Sequence, residues 1–392
     1  MFRTGTHSHL GWVILVNGAV FTRYKSFNFS RNIKNQCGEF SIITTNTAPI
    51  DYPIQLNDEV KILYNNQVVF TGMGDRFKSS SGMSGRAIEL NGRDKAVGDL
   101  IDSSVPDSVK NIKGAVSLRR LCEACLKALN IEAKVIDRTQ EKLADKTVKQ
   151  QQTAESGQNA GDFLAKFAAK NQLYIFADEN GNLVIYKTDE NTYKNSKKLI
   201  YRHSESSENN IAEPSFEYNL SNVFAKVKVR GQGSVGYEAS ANSDHKSTDI
   251  NADSYNFDAR PTRYTEISLS EPTTVDNAQK RAIDEVNLRN AQAQKYTCKS
   301  FYFWDDEQRP FNIAELFQIN DEDSLYQGEY LLAGFSVNFD IESGTQVDLE
   351  FAPAAAFAVI EFDSTTDKQK HGTKKRAKQQ TEKEQAKTRS IK

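Results

Sequence analysis

Trp12-Val-Ile-Leu-Val-Asn-Gly-Ala-Val-Phe21 is the stretch on which the fold reading turns. Two apolar runs, Trp12–Val16 and Ala19–Arg23, flank Asn17-Gly18. Asn-Gly enters the φ > 0 region at little steric cost and is a strong short-range signal for a two-residue hairpin. The pattern continues outward. Ser26–Ile33 puts Phe27, Phe29 and, less regularly, Ile33 on an apolar face, and Glu39–Thr45 alternates Phe40 and Ile42 with polar neighbours. Glu59–Tyr64 and Gln67–Met73 flank a second turn, Asn65-Asn66, and Arg86–Asn91 closes the series. Short strands with turn signals between them predict a small antiparallel barrel or sandwich. Lys78–Gly85, a Ser/Gly-rich segment, reads as a loop between two of them.

The period changes near Asp94. Leu118, Leu121, Cys122, Cys125, Leu126 and Leu129 fall at helical spacing behind Ser117, a good N-cap. Ile131–Ile136 reads as a strand. Gly161–Lys170 reads as a second amphipathic helix with Phe163, Leu164, Phe167 and Ala168 inward. Leu173–Ala177 and Leu183–Lys187 form a hairpin around Asp178-Glu-Asn-Gly-Asn182. After a polar linker, β character returns. Ser221–Arg230 alternates Val223, Ala225, Val227 and Val229. Gly231–Phe257 is almost free of apolar residues and reads as a long loop. Arg263–Leu269 reads as a strand and Asp276–Gln294 as a helix with Ala278, Ala282, Ile283 and Val286 on one face. Thr297–Trp304, Glu315–Ile319, Tyr330–Phe339 and Gln346–Phe351 read as strands. The two β regions echo each other: Leu56-Asn-Asp-Glu-Val and Val69-Phe-Thr-Gly72 against Leu316-Phe-Gln-Ile-Asn-Asp321 and Leu331-Leu-Ala-Gly334, a duplication signal.

A chain of 392 residues is long enough for two or three domains. No apolar run approaches the roughly 20 residues of a membrane span. The polar start, Met1 to His9, has no secretory apolar core, so folding in a cytoplasm is the expectation. Four scattered cysteines, Cys37, Cys122, Cys125 and Cys298, are too few for a disulfide framework. The formal net charge of −2 hides an asymmetry. Residues 363–392 hold eight Lys and two Arg against two Asp and two Glu, a net +6, which leaves −8 on the body. An acidic body argues against nucleic-acid binding by that body. The tail lacks core-forming residues and is expected to be disordered in isolation. It could bind nucleic acid or an acidic protein face; ordering on a partner is the preferred reading because Glu382 and Glu384 intersperse its cations.

The search for chemistry returns no site. Gly231-Gln-Gly-Ser-Val-Gly236 matches GxGxxG but opens no helix and sits in no βαβ unit. Cys122-Glu-Ala-Cys125 lacks a second ligand pair for zinc and lies inside a helix, on its apolar stripe, where thiols pack as small hydrophobes. The five histidines, His7, His9, His203, His245 and His371, accompany no nucleophile. Asp305-Asp-Glu307 and Asp321-Glu-Asp323 imitate hydrolytic pairs, and solvated loops account for them. Asp178–Asn182 departs from calcium-loop spacing and reads as a turn. The expectation is therefore no catalytic residue, no metal and no cofactor.

The order of these modules resembles the baseplate hub family of Mu-like contractile-tail bacteriophages. It is more distantly similar to phage late control protein D and to the N-terminal half of type VI secretion spike proteins. Four stretches carry the resemblance. They are the N-terminal strands through Thr71-Gly72, ending in Leu90-Asn-Gly-Arg-Asp94; Gly157–Leu164 through Leu173–Ile185; Phe224-Ala-Lys-Val-Lys-Val-Arg-Gly-Gln232; and Asp276–Gln294 with Leu331–Val337 and Val347-Asp-Leu-Glu-Phe351. Residues 233–257 and the basic tail depart from the family pattern, so contacts made there do not carry over.

The resemblance implies an α+β, β-rich fold. Two small antiparallel, tail-tube-like β-barrels would flank an α/β domain: residues 1–96, 97–200 and 201–362, the last with the polar loop 233–257, followed by a flexible basic tail, 363–392. It implies a non-enzymatic structural subunit of the virion, in the tail baseplate, made and assembled in the host cytoplasm. It implies a homotrimer whose six barrels form a pseudo-sixfold ring between a sixfold tail tube and a threefold central spike. Implied partners are the tail tube protein, the central spike protein and other baseplate (wedge) proteins, with the tape measure protein as a further candidate. DNA would pass the lumen without specific binding. The alternatives are a hub or spike subunit of a tailocin or type VI secretion system and, resting only on the acidic pairs, a peptidoglycan-degrading tail enzyme.

Overall fold

The computed structural model describes residues 11–357, apart from 47–53, 83–84, 113–114, 140–141, 150–151, 171–172, 189–191, 204–205, 233–248, 257–258, 269–274 and 325. The expected tail, 363–392, and most of the expected loop 233–257 lie outside these residues. The described residues form two units. One runs to Asn219 and resumes at Ala291; the other spans Leu220–Asn290.

The first unit begins with β1 (Trp12–Val16), β2 (Ala19–Phe21), β3 (Tyr24–Asn32), β4 (Glu39–Asn46), β5 (Glu59–Tyr64), β6 (Gln67–Gly82) and β7 (Gly85–Asp94). Both Asn-led turns form as expected, with φ of +49° and +80° at Asn17 and Gly18, and +47° and +65° at Asn65 and Asn66. Asn17 adds a clamp: its side chain donates to Asp58 Oδ1 (2.8 Å) and accepts from the Glu59 N–H (2.9 Å). One expectation fails here. The segment read as a loop from Lys78 belongs to β6 as far as Gly82, paired along its length with β7.

The helical module follows: α1 (Lys95–Asp102), β8 (Asn111–Ile112), β9 (Ala115–Ser117), α2 (Leu118–Ala128), β10 (Val135–Asp137), β11 (Thr147–Lys149), β12 (Gln152–Thr153), α3 (Ala160–Lys170), β13 (Tyr174–Ala177) and β14 (Leu183–Tyr186). Ser117 caps α2 by accepting from the Arg120 N–H. Strand order is β10-β14-β13, with β10 and β14 parallel. Every residue of β14 is buried because its two faces serve two cores. Leu183 and Ile185 join Leu121, Cys122, Phe163 and Phe167 under the helices. Val184 and Tyr186 join the core of the large sheet. A strand covered on both faces loses polar alternation.

The unit ends with β15 (Lys194–Tyr201), β16 (Ile211–Tyr218), and, after Ala291, β20 (Gln294–Ser300), β21 (Leu316–Asp321), β22 (Tyr326–Asp340) and β23 (Gly344–Ala352). The segment read as a polar linker therefore carries two strands. The strands of the two β regions belong to one 13-stranded sheet, ordered β16-β20-β23-β22-β3-β4-β7-β6-β5-β1-β2, with β21 on β22 and β15 on β21. The junction is antiparallel pairing of β22 with β3, from Gly334↔Asn32 to Asp340↔Ser26. The two β regions share this sheet, and its β15–β21 pair is parallel where all-antiparallel strands were expected. Asn210 brings β15 and β16 together: its N–H donates to Ile200 O (3.1 Å), its Nδ2 to Lys198 O (2.6 Å), and its Oδ1 accepts from the Ile200 N–H (2.8 Å).

One meander recurs. β5, β6 and β7 have 6, 16 and 10 residues; β21, β22 and β23 have 6, 15 and 9. Each long strand breaks register midway, at Gly74/Arg76 and at Leu332/Gly334. The echo read from sequence is displaced, because it equated Gly72 with Gly334 as strand ends, and neither strand ends there.

The second unit packs α4 (Val275–Gln292) on a three-stranded sheet of β17 (Lys226–Gln232), β18 (Asp249–Tyr255) and β19 (Tyr264–Ser268), ordered β18-β17-β19. Ala278 and Ala282 meet Val229, Ile250 and Ala252. Ile283, expected on that face, is 44% exposed. Residues 249–255, read as loop, are a strand because β17 pairs with all of them.

Candidate functional site: a polar face on a continuous sheet

The cysteine pair and the leading aspartates of the acidic clusters pack or bond within the fold. Cys122 and Cys125 are buried and free, and burial pushes the Cys125 thiol up to about 11. Among the described residues no group of three or more His, Cys, Asp or Glu is placed to hold a metal. Asp305 and Asp321, expected in solvated loops, are 1% and 0% exposed. Asp305 is held by Arg309 (Nη2–Oδ2 2.8 Å) and by the backbone N–H of Glu307 and Arg309. Asp321 accepts from Tyr296 Oη (2.9 Å) and Ser324 Oγ (2.7 Å). Buried carboxylates of this kind satisfy backbone and hydroxyl donors. Asp178 accepts from the N–H of Asn180 and Asn182, which fixes the β13–β14 turn as expected. Of the GxGxxG stretch, Gly231 and Gln232 end β17 and 233–236 lie outside the described residues.

What the fold does produce is a broad face. In β4, β3, β22 and β23 one set of alternating residues is apolar: Phe40 and Ile42; Phe27 and Phe29; Phe335, Val337 and Phe339; Val347, Leu349 and Phe351. These form the aromatic core, where Phe27 stacks on Phe339 at 5.1 Å and Trp12 packs against Phe27, Phe29 and Phe303. The opposite set is small and polar: Ser41 and Glu39 on β4; Ser26, Asn28, Ser30 and Asn32 on β3; Gly334, Ser336, Asn338 and Asp340 on β22; Gln346, Asp348 and Glu350 on β23. Ile43 is an apolar member of that set.

The side chains of this face bond to one another along the sheet. Asn338 Nδ2 donates to Asp348 Oδ2 (3.1 Å) and Gln346 Nε2 to Asp348 Oδ1 (2.9 Å). On these four strands it holds four carboxylates (Glu39, Asp340, Asp348, Glu350) against one exposed cation, Lys25, at the register shift that opens β3. Further cations sit one strand out, with Lys295 paired to Glu350 at 3.0 Å. Two concavities, about 440 and 260 Å³, open on it. A net negative surface repels phosphate.

A buried ion pair anchors the face to the helical module. Arg31 and Asp94, with side chains 2% and 0% exposed, meet at 2.9 Å. Arg31 also donates to Val69 O (3.0 Å) and Asp178 O (2.8 Å), tying β3 to β6 and to the β13–β14 turn. Asp94 Oδ2 accepts from the Gly38 N–H. This explains the Leu90-Asn-Gly-Arg-Asp94 motif. Asp94 supplies the charge, and a Cβ at Gly92 would lie 1.9 Å from Met73 O. Removing either partner of such a pair leaves an uncompensated buried charge, a loss of about 3–5 kcal/mol. Sequence periodicity held the clue to Arg31, which shares the Phe27–Phe29 face.

Residues 12–94 match the family model of the Mu phage baseplate assembly protein GpP-like, N-terminal domain. The GpP-like segment ends on Asp94 of the buried pair. None of the curated proteins compared matches the chain. Solved structures extend the likeness along the whole fold. The 43 kDa tail protein of prophage MuSo2 from Shewanella oneidensis aligns with a TM-score of 0.73 at 20% identity, over 88% of this chain and 99% of that one. A tail protein from Neisseria meningitidis aligns at 0.71 and 17%, over 89% and 99%. An E. coli component of the type VI secretion system aligns at 0.53 and 9%, over 87% and 76%. The chain therefore has the β-rich fold of Mu-like prophage tail proteins beyond its GpP-like segment. Among the described residues no helix is long and apolar enough to cross a membrane.

Proposed function

We propose that the chain is a non-enzymatic hub subunit of a contractile phage-tail baseplate. Three copies form a pseudo-sixfold ring that joins the tail tube to the central spike and lets the genome pass. The recurrent meander is the observation that carries this reading. Two like halves per chain are what a threefold ring needs to present sixfold symmetry to a tube. The shared sheet supports it further, since one unbroken polar face suits the wall of a channel. The Asn210 bonds between β15 and β16 support a barrel-like second half, and the segment match to a baseplate family supports the location in the virion.

The likeness to a type VI secretion component favours one second reading, a hub or spike subunit of a secretion or tailocin machine with the same ring and different cargo. Native mass spectrometry and negative-stain imaging of the purified full chain test the ring. The expected species has three times the mass of the chain and a central hole. A monomer at every concentration tried would remove the proposal.

A further inference from the structure

The junction inside one chain predicts the junction between chains, and this inference rests on the ring reading above. The strand registers put the two halves into residue-by-residue correspondence. β4 lies on β7 as β20 lies on β23, which equates Phe40 with Tyr296, Ser41 with Thr297, Ile42 with Cys298 and Thr44 with Ser300. The same ladders equate Ile88 with Val347 and Leu90 with Leu349. Across the next ladder Phe77 matches Phe335 and Ser79 matches Val337. On the far side, Phe29 sits opposite Phe40 as Phe216 sits opposite Tyr296, so β3 corresponds to β16. Chemistry is kept at most of these positions, aromatic for aromatic and hydroxyl for hydroxyl.

In the chain, β3 is covered by the second half of β22. Its counterpart β16 pairs, among the described residues, with β20 alone. The counterpart of that half of β22 is Arg76–Gly82 of β6, which pairs on one side with β7, while β5 stops opposite Met73. Among the described residues two complementary open edges therefore remain, at opposite ends of the duplicated plan. Exposure follows. Phe29 is fully buried at the internal junction, whereas Phe216 and Tyr218 are 40% and 45% exposed. Open strand edges are aggregation hazards unless a specific partner covers them.

We infer that β16 of one copy pairs antiparallel with Arg76–Gly82 of a second copy of this chain. Carrying over the β3–β22 register sets Phe216 opposite Ser79, Ser215 opposite Ser80 and Glu217 opposite Lys78 of the neighbour. The last pair is a charge match that nothing in the duplication argument required. β16 offers Glu213 and Glu217, and the β6 edge offers Arg76 and Lys78. The contact is head-to-tail, so it propagates around a ring and continues the polar face from copy to copy.

Directly opposed residues of an antiparallel pair have Cα atoms about 4.5–5.5 Å apart, within disulfide reach. The test is the full-length double variant Ser80→Cys/Ser215→Cys under mild oxidation, with each single variant beside it. The expected result is covalent multimers up to three chains on a non-reducing gel, collapsing on reduction, with both single variants uncross-linked. An oligomer by native mass that does not cross-link overturns this seam and leaves the ring reading standing. A monomer overturns both. A single variant that cross-links to itself shows face-to-face pairing and overturns the seam. As an independent arm, Lys78→Glu and Glu217→Lys should each lower the oligomer fraction at least tenfold in low salt, and the combined reversal should restore it. Failure of that restoration counts against the register.

Discussion

Glu315 shows how much one buried carboxyl can set the conditions under which this fold is firm. It sits immediately before β21, and its Oε2 accepts from Asn195 Nδ2 at 2.9 Å. Burial pushes its pKa up from 4.5 to about 7, against the lowering effect of the Asn195 bond. A carboxyl whose folded pKa is raised favours the folded state when protonated. Its contribution is complete below about pH 4.5 and is lost as pH rises through about 7. Glu315→Gln keeps the shape without the charge. The expected outcome is a melting temperature for the native chain that falls, relative to Glu315→Gln, between pH 4.5 and 7. The difference in stability is at most about 3 kcal/mol. Parallel pH profiles for the two proteins would refute this. The sequence could not show Glu315 as special, because its environment is made by Asn195, which is remote in sequence. Arg31 was more legible. The alternation Phe27, Phe29, Arg31, Ile33 places a cation on an apolar face, and such a residue demands a buried acid.

At the scale of elements, the sequence spoke clearly where one face of a strand or helix is dry. The hairpin at Asn17-Gly18, the strand Glu59–Tyr64, and α2 and α3 with their buried stripes all stand within a residue or two of their expected places. It was silent where strands lie at edges. β16, Ile-Ala-Glu-Pro-Ser-Phe-Glu-Tyr218, holds a proline and exposes its last four residues on both faces. Its alternation is blurred and proline argues against a central strand. β15 and the second half of β6 fail for the same reason. A side chain in place of a strand pairing is equally invisible in sequence, and Asn210 is that case. Asn210→Ala removes two side-chain bonds to the β15 backbone and is expected to destabilise the chain by about 1–3 kcal/mol. It should also accelerate hydrogen exchange at the Ile200 amide, while amides of β13 and β14 stay protected. Unchanged exchange at Ile200 would show that β15 and β16 are held together by other means.

At the scale of the molecule, the decisive contact joins Ser26–Asn32 to Gly334–Asp340, some three hundred residues apart. No local pattern announces such a pairing, although each strand announced its own polar and apolar faces. The pairing turns two modest polar strips into one continuous wall of polar side chains. Its four central strands present four carboxylates and several amides against one exposed cation, Lys25 at the start of β3, so duplex DNA should find little counterion-releasing contact there. Asn28, Ser30 and Ser336 stand near the middle of that wall. Replacing all three by Lys sets three cations in the middle of a face that holds four carboxylates, while leaving the aromatic core and the β16 and β6 edges untouched. The expected outcome is a protein that still assembles as the native chain does and now retains duplex DNA at low salt in a gel-shift assay. Each added phosphate contact should steepen the salt dependence, so retention should fall by orders of magnitude between 50 and 200 mM salt if several contacts form per assembly. Native protein should retain none at either concentration. If the triple variant assembles and is as indifferent to DNA as the native chain, the polar face does not line a passage that DNA can enter, and the channel wall must be sought on another surface of the ring.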